Sequence, residues 1–528
     1  MQRSLYIGIF FFLFVTLNAQ TKFQKTYSRG SYDAFGEAIM NTDSSYYIPT
    51  TTSTATRGYD LGINKFNKFG DTIWTRTYGS GGLDYGGPLK KTNDGNFVCM
   101  GQTINFGSGN YDAYLVKINP NGDTIWTKAV GGPLIDLAGN ITVLPNDDLV
   151  ILGALDSIGF GLTDVYLTKI DKNGILKWSR IYDGANTCSV IAIEQTSTGG
   201  FLLAGSTKNY SGGDFDIFII KTDSLGNLDW AKTYGGSSDE GSSRIVKLGN
   251  SYIISFSTKS FGQGGYDIGL LRIDESGSVQ SAKIYGTVTD ESSASLSLTT
   301  QGDIAFTGHF GAITGTNTDG LLILADSTGN FMWCKKYGST DIDAISAAQT
   351  YDNGFILAGS TQSFSAYPKG YLIKTDSVGN SGCYESNLTL IQQDITSILP
   401  VNIVFPNVFT DTSVMSINTA TQETYGGLIN SSLCFTSSVA VQDEKYYPFS
   451  LYPNPNNGTM SFEYELKNKE KGELDIFDIT GRKIANYKLV TGRKIITVSE
   501  TNLNNGIYFY TYKINDSVQQ SEKIVIIK

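Results

Sequence analysis

A repeat of about fifty residues is the strongest constraint on how this chain of 528 residues can fold. All five tryptophans take one position of that repeat: Trp74, Trp126, Trp178, Trp230 and Trp333. The last interval spans two units, with Ser281 in the place of a tryptophan, and Cys383 takes the same place in a seventh unit. Periods of this size indicate a solenoid, a propeller or an array.

A glycine stands four residues before each of those seven positions: Gly70, Gly122, Gly174, Gly226, Gly277, Gly329 and Gly379. An Asn or Asp precedes each glycine by three residues, as in Asn67 and Asp171. The acidic or amide side chain can bond its own backbone, and glycine can adopt a positive φ. Between alternating apolar runs, this spacing predicts one hairpin turn per unit.

Each unit can be divided into four short strands. In the copy that ends near Trp126, we predict strands over residues 84–91, 97–102, 111–118 and 124–129. Four strands in about fifty residues are typical of a propeller blade. Residues 20–380 are therefore predicted to form a seven-bladed β-propeller with four-stranded blades.

The ends of the repeat predict how the ring closes. Residues 23–27 match the fourth-strand run at 74–78, and the seventh copy ends after its third strand, near Thr375. We expect the N-terminal strand to be the outer strand of the last blade, which leaves no open edge between the two ends. The runs 200–207 and 234–240 resemble the repeats of exported bacterial seven-bladed propellers, and this resemblance implies the same fold.

The first nineteen residues are predicted to be a signal peptide. Arg3 precedes an apolar run at 5–15, and Ala19 is a suitable cleavage site. The alternative is an uncleaved anchor, although a helix spanning a bilayer needs about 20 apolar residues. We expect no transmembrane helix in the mature chain.

The net charge restricts the class of partner, and two cysteines are placed where a disulfide can form. The net charge of −10 argues against a nucleic-acid partner, which requires a concentrated basic face. Cys383 and Cys434 bracket residues 381–448, a Thr- and Ser-rich segment that we expect to be strands or an extended connection on the propeller. An exported protein can oxidise this pair to a disulfide, and two free thiols are the alternative.

Residues 449–528 form a second unit, in which short strands and turns predict an immunoglobulin-like β-sandwich. Several of its residues resemble the C-terminal sorting domain of the type IX secretion system: Tyr452, Pro453, Asn454, Pro455, Gly458, Asp478, Gly481, Leu503, Gly506, Ile507, Tyr508 and Lys523. That resemblance implies passage across the outer membrane by the type IX machinery, followed by release or surface attachment. An ordinary immunoglobulin-like binding module is the alternative.

Sequence motifs for catalysis are missing, so we expect no enzyme, cofactor or metal. His309 is the single histidine, just after a predicted second strand, where a structural role is expected. One acidic position recurs in six units: Asp60, Asp112, Asp164, Asp216, Asp267 and Asp319. A carboxylate ring that binds calcium or sugar is one interpretation. A residue needed once per blade more simply caps a turn or pairs across blades.

The expected function is a secreted or surface-attached binding, adhesion or scaffold module with a glycan or protein ligand. The alternative is an extracellular enzyme that degrades polysaccharides or peptides at a site in the propeller channel. Units six and seven depart from the repeat at residues 311–318 and 365–369, so we expect a functional face on that side.

Overall fold

The computed structural model describes residues 20–527 apart from several short segments: 55–56, 80–81, 109, 157–162, 184–187, 209–214, 312–316, 340, 404–406, 411–413, 420–421, 426–427, 438–448, 453–457, 467, 480, 500–502 and 516. The signal peptide and Pro453, Asn454 and Pro455 lie outside the described residues. The chain divides into two compact units, Met1–Ser438 and Val439–Lys528. Among the described residues, no helix is long and apolar enough to span a bilayer.

In the described part of the first unit, seven antiparallel sheets share one plan, in which four strands pair in order from an inner to a fourth strand. The strands of the first four sheets are Tyr32–Phe35, Tyr46–Thr54, Arg57–Phe66 and Thr72–Gly79 (sheet I); Asp84–Lys91, Phe97–Thr103, Asp112–Ile118 and Thr124–Gly131 (II); Asp136–Val143, Leu149–Asp156, Thr163–Ile170 and Leu176–Asp183 (III); and Cys188–Gln195, Phe201–Lys208, Phe215–Thr222 and Leu228–Tyr234 (IV). Sheet I also carries the short strand Ile39–Met40 beside its second strand.

The remaining three sheets follow the same plan. Their strands are Glu240–Leu248, Ser251–Thr258, Asp267–Asp274 and Val279–Gly286 (V); Glu291–Leu298, Ile304–Phe310, Asp319–Ala325 and Phe331–Tyr337 (VI); and Asp343–Gln349, Phe355–Thr361, Lys369–Lys374 and Thr21–Ser28 (VII). Each sheet contacts the next through its inner strand, and sheet VII contacts sheet I. The seven sheets therefore form a closed, propeller-like cycle.

The N-terminal strand makes the pairing predicted for it. Thr21–Ser28 pairs antiparallel with Lys369–Lys374, with Phe23 opposite Lys374 and Tyr27 opposite Gly370. It is nevertheless not the outer strand, because Ile429–Ser437 pairs along its other edge. The prediction of four strands per blade was wrong for the same reason.

A fifth strand lies outside every fourth strand, and all seven come from the segment predicted to be a connection. We call these strands the belt: Glu385–Leu388 on sheet VI, Ile391–Asp394 on V, Val401–Asn402 on IV, Asn407–Thr410 on III, Met415–Asn418 on II, Gln422–Tyr425 on I and Ile429–Ser437 on VII. The belt thus visits the sheets in reverse order from VI to I and ends on sheet VII, next to the sheet on which it began. It pairs outer backbone groups that would otherwise form open sheet edges.

Aliphatic residues between the strands of the belt anchor it against the sheets. Leu390, Ile395, Ile398, Ile403 and Val414 are each at least nine-tenths buried. They belong to four different hydrophobic clusters of the sheet cycle. A disulfide between Cys383 and Cys434, with the Cα atoms 6.1 Å apart, joins the start of the belt to its last strand.

The repeated glycine is required by its own turn and by the neighbouring sheet. In sheet IV, Gly226 has φ +75°, and its carbonyl accepts a hydrogen bond of 2.6 Å from the Tyr182 hydroxyl of sheet III. A Cβ at Gly226 would lie 2.9 Å from the Trp178 ring. All seven repeat glycines have a positive φ, and most accept this tyrosine hydrogen bond. The aromatic side chains of each fourth strand therefore lock against the next turn.

The second unit contains two described sheets around one core. One sheet holds Phe449–Tyr452, Thr459–Leu466 and Gly492–Ser499, and the other holds Lys483–Leu489, Gly472–Phe477, Gly506–Ile514 and Ser517–Ile526. Both sheets contribute to a single cluster that includes Phe462, Leu474 and Tyr510. A buried carboxylate, Asp475, pairs with Lys483 and Lys513 at 2.9 Å each.

Candidate functional site

The recurrent acidic residues lie buried at the junctions between sheets. Most face a second acid at the start of the next inner strand, as Asp60 faces Asp84. A Cβ on Gly79 would lie 2.6 Å from Asp60 Oδ1 and 2.7 Å from Asp84 Oδ2. The intervening glycine therefore leaves room for two carboxylates. Among the described residues, no group of three or more His, Cys, Asp or Glu side chains is arranged to hold a metal.

These acids cap loops. Asp267 Oδ2 accepts a hydrogen bond of 3.1 Å from the Gln263 amide, and Glu291 Oε2 accepts one of 3.0 Å from the Thr287 amide. Burial raises the pKa of Glu291 to about 7; hydrogen bonds from Thr287 oppose this shift, and the nearby Asp267 adds to it. Because two buried like charges are costly, such a pair favours a shared proton. The structure thus supports the turn-capping interpretation of the recurrent Asp.

Two turns that follow inner strands, at Asp94 and Asp352, have their carboxylates paired with lysines. Asp94 Oδ1 accepts a hydrogen bond from the Asn96 amide at 3.1 Å, and Asp94 Oδ2 accepts one from Lys117 Nζ at 2.9 Å. Lys374 and Asp352 repeat this ion pair in sheet VII at 3.0 Å. The carboxylate that a cation would need is therefore already neutralised.

His309 lies within the second strand of sheet VI, and not just after it as predicted. Its Nδ1 is 3.4 Å from the Ser292 Oγ on the inner strand, and burial lowers the pKa of the imidazole. The contact supports a structural role.

Charged side chains from different sheets, including sheets that are not neighbours, approach one another across the cycle. Glu37 of sheet I lies 3.8 Å from Arg244 of sheet V. Glu194 of sheet IV interacts with Lys90 of sheet II and Lys247 of sheet V. Burial raises the pKa of Glu194 to about 7, although the two lysines oppose the shift. Because these interactions link sheets across the cycle, the groups are candidates for the channel site considered in the alternative function.

Four tyrosines lie on sheets I and II, three of them in ring contact across the junction, and sequence reasoning missed them. We call Tyr32, Tyr59, Tyr85 and Tyr111 the tyrosine cluster. The centroids of the Tyr32 and Tyr59 rings are 5.3 Å apart and edge-to-face, and those of Tyr59 and Tyr85 are 5.3 Å apart and stacked. All four side chains are partly exposed. Their signal in the sequence is the break in the repeat, since Tyr85 corresponds to Leu137, Ser189 and Gly241 in the next three units.

The residues of the sorting motif form turns and strand pairs in the second unit. Asp478 Oδ1 accepts a hydrogen bond of 3.1 Å from the Arg482 amide, and Gly481 has φ +83° in the same turn. The Tyr508 hydroxyl donates to the Asn504 carbonyl at 3.1 Å. Lys523 lies opposite Phe509 in the paired terminal strands. Gly458 has φ +97° and is buried where a strand begins.

Comparison with known families identifies this unit. Residues 450–528 match the family described as a secretion system C-terminal sorting domain. The type IX sorting domain predicted from the sequence is thereby confirmed. Such a domain implies interaction with the type IX machinery and indicates export, with a location at the cell surface or outside the cell. No curated protein matches the chain.

Solved structures similar to the chain are propeller-like proteins of low identity. An ulvan lyase, a polysaccharide lyase, is 10% identical over 68% of this chain and 95% of its own, with a TM-score of 0.42. PorZ, an essential surface component of the type IX system of Porphyromonas gingivalis, is 12% identical over 93% of this chain and 51% of its own, with a TM-score of 0.28. An endo-arabinanase from Bacillus licheniformis is 11% identical over 57% and 98%, with a TM-score of 0.30. At these scores the likenesses decide neither substrate nor activity.

Proposed function

We propose that the chain is an exported binding protein, in which a seven-bladed β-propeller carries the ligand site and an immunoglobulin-like sandwich directs secretion. The closed cycle of seven sheets supports the propeller, and the two sheets around one core support the sandwich. After signal-peptide cleavage at Ala19, the mature protein is released or attached to the outer surface. It acts as a binding, adhesion or scaffold module without a catalytic reaction.

The tyrosine cluster is the observation that carries the binding function. In the contacts described above, the recurrent acids, lysines and glycines have structural partners within the sheets. Tyr32, Tyr59 and Tyr85 instead contact one another at one junction, and their side chains are partly exposed. A group that the repeat does not need for its own folding is the best candidate for a ligand site, since large aromatic side chains dominate binding surfaces.

Two experiments test this proposal. Deletion of residues 439–528 should retain the protein inside the outer membrane, whereas the full chain should appear in the medium or on the cell surface. Arrays of glycans and of surface proteins, probed with the full exported chain, should then yield a ligand whose binding falls on Tyr85→Ala. Export of the truncated chain would contradict the role of the sandwich, and arrays without any ligand above background would contradict the binding function.

An enzyme with its site in the channel is the second candidate, and Glu194 is the observation that favours it. A carboxyl group that titrates near neutral pH is suited to general acid–base catalysis. Assays on polysaccharides and peptides should then show turnover that Glu194→Gln abolishes and Glu275→Gln, on a turn of sheet V, preserves. Turnover that survives Glu194→Gln would exclude this site.

A further inference from the structure

The tyrosine cluster departs from the repeat at three positions at once. Where sheet I has Tyr32, other units have Leu83, Ile135, Thr187, Asp239, Asp290 and Ile342. Where sheet II has Tyr85, they have Ala34, Leu137, Ser189, Gly241, Ser292 and Ala344. At the third position, sheets I and II have Tyr59 and Tyr111, whereas the other five units have Thr163, Phe215, Tyr266, Thr318 and Pro368. The other six junctions between neighbouring sheets form without this combination of tyrosines, so the combination is not needed for folding.

The strand register places these rings side by side. Ser53 lies opposite Tyr32 on one side and opposite Tyr59 on the other, so the two tyrosines flank a small hydroxyl residue across sheet I. Tyr85 is the second residue of the inner strand of sheet II and stacks on Tyr59 with an interplanar angle of 27°. The rings therefore form one continuous aromatic surface that crosses the junction.

The hydroxyl groups lie close to one another as well. Burial and the neighbouring hydroxyls of Tyr111, Tyr59 and Tyr32 raise the pKa of Tyr85 above its ordinary value. The phenols present hydrogen-bond donors and acceptors next to their ring faces. By contrast, Tyr78 and Tyr182 of the fourth strands are fully buried and donate to glycine carbonyls.

The backbone beneath the cluster is closely packed. A Cβ on Gly58, next to Tyr59, would collide with the Gly82 carbonyl, and a Cβ on Gly82 would collide with the Asn105 side chain. The strand of sheet I and the connection into sheet II thus approach as closely as glycine permits. A surface fixed in this way loses little freedom when a ligand binds.

We propose that the tyrosine cluster binds a neutral oligosaccharide, with sugar rings stacked on the aromatic faces and sugar hydroxyls bonded to the phenols. Sugars combine apolar C–H faces with many hydroxyls, and tyrosine offers the matching apolar face and polar end. An apolar protein segment fits less well, because protein hot spots insert a side chain into a pocket, whereas these rings form a shelf. This inference rests on the proposed binding function and names the ligand class of that site.

Titration of the full exported chain with neutral cello-, xylo- and manno-oligosaccharides, and with a uronic-acid oligosaccharide, tests the inference. At least one neutral series should bind, and Tyr85→Ala should weaken it at least about tenfold. Tyr85→Phe keeps the ring and should cost only a few-fold. The matched control is Tyr266→Ala, which removes the tyrosine at the equivalent position of sheet V, where Lys259 Nζ lies 4.4 Å from the ring centroid.

Three results would overturn the inference. The first is that no neutral oligosaccharide binds, or that only the charged series does. The second is that Tyr266→Ala weakens binding as much as Tyr85→Ala. The third is a protein ligand that depends on Tyr85, a result that would keep the binding function and reject the sugar. A circular dichroism melt of each variant shows whether a lost affinity reflects lost folding.

Discussion

The disulfide between Cys383 and Cys434 closes a covalent loop that runs once around the sheet cycle. The two cysteines are 51 residues apart in sequence, and the belt strands between them pair with six different sheets before the last strand pairs with sheet VII. Without the bond, the belt could separate from the sheets one strand at a time. We therefore expect Cys383→Ser with Cys434→Ser to destabilise the first unit, chiefly by releasing the belt.

The size of the effect follows from chain entropy. Closing a loop of 51 residues lowers the entropy of the unfolded chain enough to stabilise the folded state by about 4 kcal/mol. Unfolding entropy is about 2.1 cal/mol/K per residue, so for a unit of this size the same change lowers Tm by about 5 °C. Leu390, Ile398 and Ile403 remain buried in either case, so the belt should loosen and not dissociate.

Calorimetry and amide hydrogen exchange measure the two parts of this prediction. The double variant should melt about 5 °C lower, and exchange should accelerate in the belt more than in the inner strands. A reductant should reproduce the shift in the wild type and leave the variant unchanged, because Cys99, Cys188 and Cys334 are buried and free. Equal melting temperatures, or exchange that rises uniformly across the unit, would refute the role of the bond as a belt closure.

Three further predictions concern packing and charge. Gly226→Ala should cost about 3 kcal/mol, because strain at φ +75° adds to overlap with Trp178, whereas Gly199→Ala, at φ +85° with open space, should cost about 1 kcal/mol in chemical denaturation. The pKa of Glu291 in the folded protein is about 7, above its unfolded value. The contribution of Glu291 to stability is therefore complete at low pH and is lost as pH rises through 7. Glu291→Gln should flatten that part of the plot of Tm against pH. In the second unit, burial opposes ionisation of Asp475, but hydrogen bonds from Lys513, Asn486 and Lys483 lower its pKa to about 2. Asp475→Asn should therefore destabilise that unit by about 2 kcal/mol at pH 7. The cost is lower than for a fully buried ion pair because both lysines are partly exposed. The difference in stability should vanish as pH approaches 2, where the carboxyl group of the wild type becomes protonated.

The repeat made the sheet cycle predictable, because its glycines and aromatic residues are local signals with fixed spacing. The Asx turn at Asp171 and Gly174 can be inferred from four residues of sequence. The belt could not be inferred in this way. Each belt strand is only two to nine residues long, and its partner lies far away in sequence, so neither periodicity nor turn chemistry indicates the pairing.

The candidate site was missed for a related reason. Tyr32 and Tyr85 are far apart in the chain and belong to different sheets, and only the closed packing of sheets I and II brings them to the same surface through Tyr59. The sequence predicted a functional face near units six and seven instead, because residues 311–318 and 365–369 depart from the repeat there. A single change of residue type, as at Tyr85, is a weaker signal than a departure over several residues, yet it also alters the chemistry of a surface.

The elements that close the first unit and the domain that directs sorting lie in separate parts of the chain. The fourth strand of sheet VII comes from the N-terminus, and the disulfide at Cys434 is formed before the boundary between the two units at Ser438. The strand pairings and the disulfide described for the first unit thus lie upstream of the sorting domain. A sorting domain that is removed during export would take none of these contacts with it. The belt is therefore complete before the sorting domain begins, so the closure of the sheet cycle does not depend on whether that domain is removed.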